Sequence, residues 1–274
     1  MKTNKNILPI TVIIPCADDT RIKQCLESID EKVEIVVVLN GATKEVRKIV
    51  KNYNVKIVEI PERNLAKSLN VGIENSRNTN VLFMDSDCIF YKGTIRKLYN
   101  GLQNYFFSKG RVVFMRSGFV GSIIAKARDY TTVDKKTAYK PPLAMKKDVK
   151  RLINNYYFDS DVHWTEDADL NMRVKEVGLD VNYLPSARIL HPKLTLKQDL
   201  RSAFRYGIGK RIRVEKGKAK GIKSFILKTP DVLNKKGVAV AIYLIVWSII
   251  YTVGYFYQLF FDPYDVRPFL IKEQ

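Results

Sequence analysis

Val81-Leu82-Phe83-Met84-Asp85-Ser86-Asp87 is an apolar run that ends in two carboxylates one residue apart. An unbroken apolar run of this kind suits a strand buried on both faces of a parallel sheet. Such a strand delivers Asp85 and Asp87 to its carboxyl end, where open α/β sheets bind ligands. Two oxygen-rich side chains there can hold Mg²⁺ or Mn²⁺ against a diphosphate. Asp and Ser also form turns, so by itself the segment fits a plain strand exit equally well.

The surrounding chain favours the sheet. Ile10–Pro15, Glu34–Leu39 and Lys56–Ile60 are further short, β-branched apolar runs. Between them, Arg21–Ile29, Glu45–Val50 and Leu65–Ile73 repeat apolar residues at helical spacing, as in Leu65, Leu69 and Ile73. This alternation predicts an α/β fold, a Rossmann-like, mostly parallel sheet flanked by helices. Arg111–Met115 is expected to be another strand. Arg128–Asn155, basic and containing Pro141-Pro142, is expected to be loop-rich and to lie over the sheet. Thr165 is expected to cap a helix with Leu170, Val174 and Val177 on one face and Gly178 at its end. Val181–Leu184 follows as a strand.

Composition narrows the classes. The 46% apolar content is that of a folded protein, but the formal net charge is +19. Twelve Lys or Arg against Glu215 and Asp231 between Arg201 and Lys236 give +10, and Lys109–Arg151 is also basic. Such clusters suit a polyanion, an anionic membrane surface or a phosphorylated ligand. Nucleic acid is the weakest of these, because basic–aromatic interleaving is confined to Arg205-Tyr206. Cys16, Cys25 and Cys88 form no CxxC pair, which fits a reducing compartment, and two histidines exclude a His-rich metal site.

Gly237–Phe261 is 25 residues without a charge. As a helix it would run roughly 37 Å, enough for a hydrocarbon core of about 30 Å. A membrane span is expected, with the large N-terminal domain cytoplasmic, because basic residues precede the segment in excess. A core helix or a dimer helix is the alternative. An in-plane helix is disfavoured by the lack of any polar face in the sequence.

A second acidic cluster, Thr165-Glu166-Asp167-Ala168-Asp169, follows Trp164. Acids in a first helical turn stabilise the helix dipole. One of them can equally act as a general base in a cleft. With this cluster added, the chain resembles a family 2 glycosyltransferase of the GT-A fold over residues 8–213. The resemblance rests on Ile10–Pro15, on Ile35–Thr43 with its turn, on Asn70 and Gly72 in the helix before the metal motif, on Asp85-Ser86-Asp87 and on Thr165-Glu166-Asp167. Arg205–Arg211 resembles the basic segment that follows the catalytic domain.

The resemblance implies an inverting, Mn²⁺- or Mg²⁺-dependent enzyme. It implies donor contacts at Pro15, Ala17, Asp19, Asn40, Lys67, Asn70, Asp85 and Ser86. Asp85 and Asp87 would serve the metal, with His191 as a third ligand or a diphosphate contact. Asp167 would be the base, Trp164 and Glu166 would meet the acceptor, and Arg205, Lys210 and Arg211 would bind a phosphate. Leu39-Asn40 replaces the acidic pair usual at the nucleobase turn. Gln198-Asp-Leu-Arg201 is followed by Ser202 rather than the Trp of processive members, which implies single sugar addition.

The expected organisation is a catalytic domain (1–213), a basic juxtamembrane linker (214–236), a hydrophobic helix (237–261) and a short tail (262–274). The expected partners are a nucleotide-sugar donor, a lipid-linked or glycan acceptor and the membrane, with no nucleic acid; self-association fits as well. Transfer to polyprenyl phosphate is the enzymatic alternative. A membrane-tethered scaffold or a nucleic-acid-binding protein is the non-catalytic one.

Overall fold

Strand β1 (Thr11–Cys16) is buried at every position. It pairs in parallel with β2 (Glu34–Asn40) on one side and β4 (Asn80–Phe83) on the other, with Ile13 opposite both Val36 and Phe83. Strand β3 (Lys56–Ile60) extends the sheet in parallel from β2. Fully burying each Val or Ile of these strands contributes about 1.5–3 kcal/mol. The computed structural model describes residues 7–132, 136–221 and 229–261.

Beyond β4 the sheet is antiparallel. Strand β7 (Leu143–Lys146) pairs antiparallel with β4 and with β6 (Phe107–Phe114). Strand β8 (Val181–His191) pairs antiparallel with the short β5 (Ile89–Phe90). The full order is β3-β2-β1-β4-β7-β6-β8-β5. The expected parallel sheet is therefore half of a mixed, eight-stranded one.

Side chains alternate between the two faces of the sheet. Val12 and Ile14 pack with Ile22 and Leu26 of α1 (Ile22–Glu27), Val46 of α2 (Lys44–Val50) and Leu98 of α4 (Thr94–Asn100). Ile13 packs with Leu69 and Ile73 of α3 (Leu65–Glu74) and with Leu170 and Val174 of α6 (Glu166–Glu176). Helix α6 ends as expected at Gly178, whose φ is +68°. The Leu179 N–H donates to Val174 O and the Gly178 N–H to Lys175 O, a Schellman closure.

The expectation of a loop over 128–155 is corrected. Helix α5 (Gly118–Thr132) covers its start, and β7 is an inner strand with Leu143, Ala144 and Met145 fully buried. A 3₁₀ turn follows at Lys147–Arg151. The next stretch is pinned by Arg173, which pairs with Asp169 at 3.0 Å. The same guanidinium donates to the carbonyls of Ile153, Tyr156 and Tyr157.

The chain divides into two compact units. One comprises Met1–Val113, Asp134–Asp161 and Glu166–Pro192; the other comprises Phe114–Val133, Val162–Thr165 and Lys193–Gln274. The second unit is helical. It contains α5, α7 (Leu196–Glu215), α8 (Thr229–Lys236) and α9 (Val238–Phe260). Thr195 and Gln198 close α7 with a reciprocal capping box.

Asp199, fully buried on α7, pairs with Arg128 of α5 at 2.5 Å and accepts from the Tyr243 hydroxyl of α9. Helices α7 and α9 touch backbone to backbone. A Cβ on Gly207 would stand 2.0 Å from Tyr251 O, and one on Gly254 would stand 2.1 Å from Phe204 O. Of the expected linker, 222–228 lie outside the described residues, as does the expected tail at 262–274.

Candidate active site

The strand order reverses at β1. Strands β2 and β3 lie on one side of it and β4 on the other. Ligands of open α/β sheets sit outside the carboxyl ends of the strands at such a point. There β1 delivers Pro15, Cys16 and then Ala17 and Asp19, and β4 delivers Asp85, Ser86 and Asp87.

Asp19 accepts from the Arg21 backbone N–H and from its guanidinium at 2.8 and 2.5 Å. Burial would raise the Asp19 carboxyl, but these bonds and the Arg21 charge outweigh it and hold the pKa below the ordinary value. Arg21 Nη2 also lies 3.5 Å from Asp87 Oδ2. Arg21 thus links the exits of β1 and β4.

Strand β8 supplies the third element. Ile89 pairs with Leu190, so one step further the antiparallel register sets Cys88 opposite His191. The Asp87 carboxylate, Cys88 Sγ and His191 imidazole have ligand atoms within 4.8 Å of one another. His191 Nε2 is 4.0 Å from Asp87 Oδ2, and His191 Nδ1 is 2.9 Å from Pro192 O. Nδ1 faces that carbonyl, which leaves Nε2 as the ring nitrogen that faces Asp87 and could serve a metal.

Burial raises the Asp87 carboxyl above its ordinary pKa, and Asp85 adds to this against the pull of His191 and Arg21. A divalent cation would relieve that unfavourable burial. Oxygen and imidazole donors suit Mn²⁺ or Mg²⁺. The Cys88 thiol is pushed well up by burial, with the charges of Asp87 and Asp85 adding to it. The thiol donates to Asp87 Oδ1 at 3.4 Å and so orients the carboxylate.

Lys140 was not singled out by the sequence. It lies three residues before β7, whose first residue pairs with Phe83 near the end of β4. That register brings Lys140 Nζ to 3.8 Å from Asp85 Oδ1 and 3.2 Å from Glu166 Oε1. Its side chain is only 5% exposed. Burial would lower the ammonium, yet Asp85, Glu166 and Asp167 together hold its pKa above the ordinary value. Glu166 Oε2 is buried without a hydrogen-bond partner among the described residues. Asp167, next on α6, is partly exposed.

The remaining expected residues divide by what they touch. Asn40, at the end of β2, is buried, and its Oδ1 has no partner among the described residues. A buried acceptor left over in this way calls for an explanation beyond the fold. The Asn70 amide is engaged at both ends by the Phe158 backbone, at 2.8 and 3.2 Å, so it braces 158 against α3. Lys67 pairs with Glu62 at 2.7 Å.

In the helical unit, Trp164 has a φ of +58°, a conformation non-glycine residues rarely hold without a reason. The Arg205 guanidinium lies 5.9 Å from the Trp164 ring. Arg211 pairs with Glu215 and reaches the Tyr255 hydroxyl at 3.5 Å. Burial lowers the Lys210 pKa, and the neighbouring Arg213 adds to the effect.

The mixed sheet, with an acidic crevice at the carboxyl ends of its parallel strands, is a Rossmann-like α/β fold of the GT-A type. Residues 11–132 match the sequence profile described as Glycosyl transferase family 2. No curated protein matches the chain significantly.

Among solved structures, the fold is similar to that of the mannosyltransferase PcManGT from Pyrobaculum calidifontis in complex with GDP-Man and Mn²⁺. The TM-score is 0.61 at 14% identity, over 93% of this chain and 87% of that one. It is also similar to TarS residues 1–349 from S. aureus, with a TM-score of 0.55 at 16% identity over 97% of this chain and 76% of that one.

Proposed function

We propose that the protein is an inverting, metal-dependent glycosyltransferase that moves one sugar from a nucleoside-diphosphate sugar to a hydroxyl of a membrane-linked acceptor. The supporting observation is the meeting of three strand exits and one helix start in a single crevice. Asp85, Asp87 and His191 stand on one side, and Glu166 and Asp167 stand on the other, bridged by Lys140.

Asp87 and His191 would hold the divalent cation, with Asp85 beside them reaching the donor's hydroxyls. The cation, when bound, neutralises charge on the departing diphosphate. Arg21 fixes the Asp87 carboxylate from behind. Asn40 Oδ1, buried and unpartnered among the described residues, accepts a hydrogen bond from the nucleobase.

Glu166 is buried against Lys140, so it is poorly placed to receive a proton. Asp167 is the more exposed neighbour and takes the proton from the acceptor hydroxyl as that oxygen attacks the anomeric carbon. Attack opposite the leaving diphosphate inverts the configuration in one displacement. The excess of basic charge and the apolar α9 support an acceptor carried by lipid.

The test is a panel of nucleotide sugars with Mn²⁺ and membrane lipids, read as nucleoside diphosphate release. Release from one donor and retention of its sugar on lipid supports the assignment. Absence of release from every donor overturns it.

A further inference from the structure

Helix α9 was expected from its sequence to be apolar all round. In the structure it has two unlike faces. Val238, Ile242, Ile249, Val253, Phe256 and Phe260 recur at helical spacing and are 47–73% exposed. They form one apolar stripe along a 23-residue helix, roughly 35 Å long at 1.5 Å per residue.

The opposite face holds the polar atoms. Tyr243 donates to Asp199, Trp247 lies 5.5 Å from the Arg128 guanidinium, and the Tyr255 hydroxyl meets Arg211. Gln258 is buried as well. Tyrosine and tryptophan count as apolar in a sequence, so this face was invisible there.

The partner of that face decides how the helix meets a membrane. Asp199 contacts Tyr243 and Arg211 contacts Tyr255, and both pairs are 44 residues apart. A constant offset means that α7 and α9 run parallel, side by side. Any position across a bilayer would carry α7 with it, including Arg201, Arg205, Lys210 and Arg211. Charged side chains strung along hydrocarbon are strongly disfavoured. Lying flat, the same pair puts the stripe into hydrocarbon and keeps the charges out.

The surrounding charge fits an anionic surface. Helix α9 is entered from Lys235 and Lys236, and Lys197 and Arg201 are exposed on α7. Phe119 at the start of α5 is 78% exposed in the same unit.

We propose that α9 is an in-plane membrane anchor, its Val238–Phe260 stripe sunk into one leaflet of an anionic bilayer while its aromatic face stays locked on α7. Vesicle binding needs neither donor nor acceptor, so this proposal stands or falls separately from the assigned reaction.

The experiment uses the full chain, purified in detergent and reconstituted with phosphatidylcholine vesicles with or without phosphatidylglycerol. Spin labels are attached through Ile242→Cys, Ile249→Cys and Phe256→Cys, one at a time. In-plane seating predicts one shared immersion depth of roughly 5–10 Å for all three labels. It also predicts vesicle flotation that rises with phosphatidylglycerol and falls with salt. The pair Ile249→Glu and Val253→Glu should weaken flotation by roughly tenfold or more while far-UV helicity is kept. A label at Ile249 much deeper than those at Ile242 and Phe256 would mean a span and overturns the proposal. Labels that couple to a second copy without contacting lipid would make the stripe a dimer face and overturn it equally.

Discussion

Lys140 Nζ lies 3.2 Å from Glu166 Oε1, so one buried ammonium joins the carboxylates after β4 to those that begin α6. The two acidic motifs are 81 positions apart between Asp85 and Glu166, and this cation fixes their separation in space. Without it, Glu166 would be an uncompensated buried charge. Lys140→Met should destabilise the fold by about 3–5 kcal/mol, the usual penalty for breaking a buried pair. Lys140→Arg, which keeps the charge but not the shape, should fold nearly normally and lose turnover more than donor affinity. Denaturant unfolding and calorimetric donor binding, set beside single-turnover rates, distinguish the two effects. Wild-type turnover in Lys140→Arg would remove Lys140 from any positioning role.

The metal assignment is tested through Asp87. Asp87→Ala should leave the sheet intact, since the side chain is at a strand exit and outside the core. Donor turnover should fall to background. Chelation of the wild type should do the same, and Mn²⁺ should restore the wild type but not the variant. Full activity of Asp87→Ala in the presence of chelator would refute the assignment.

Asp167→Asn should still bind donor, because the side chains at the strand exits are untouched. Turnover should drop by roughly 10²–10⁴-fold, as for loss of a general base. Glu166→Gln should weaken chiefly stability, by stranding Lys140. The reverse pattern in the two variants would move the base to Glu166.

Arg173 is 2% exposed and serves Asp169 and three backbone carbonyls at once. Arg173→Met should cost about 3–5 kcal/mol by denaturant unfolding, because Asp169 and the carbonyls lose their partner together. Arg173→Lys should recover little, since one ammonium cannot match the planar fork.

Glu34 gives a pH prediction. Burial would raise its carboxyl, but hydrogen bonds from Thr11 and Arg77 and the Arg77 charge hold the pKa below its ordinary 4.5. A depressed folded pKa contributes stability above the unfolded value, and that contribution is lost as pH falls through the folded one. Wild-type stability should therefore decline as pH falls below that ordinary value and through the depressed folded one. Glu34→Gln should be less stable near pH 7 and show a flatter acid limb. Identical acid limbs would exclude a contribution from Glu34.

Much of this was legible in the chain. Strands β1, β2 and β4 declared themselves because strands buried on both faces need no alternation, only unbroken apolar residues. Strand β7 did not, because four residues, Leu143–Lys146, sit inside a lysine-rich stretch that resembles a solvated surface. Strand β6 starts earlier than expected because Ser108 and Lys109 are buried in it, with Lys109 bonded to Thr137 at 2.9 Å. No local pattern announces a buried lysine. Lys140 was missed for the same reason, as its carboxylate partners come from other strands and helices. Asp85, Asp87 and Asp167 could be singled out because acids at a strand exit or a helix start are local features. What each touches, as with Asn70 and Phe158, is a property of the tertiary fold.

The backbone contact of Gly207 with Tyr251 and of Gly254 with Phe204 has a consequence for biosynthesis. Helix α7 leaves the ribosome 44 residues before the segment it must pack against. At about 5–20 residues per second, it waits roughly 2–9 s with its glycine groove uncovered. A nascent chain halted near Lys236 would keep that groove open indefinitely, presenting bare backbone and Ile208 to solvent. Truncation before α9 is therefore expected to feed the chain to chaperones and proteases, because α9 completes the packing that α7 begins.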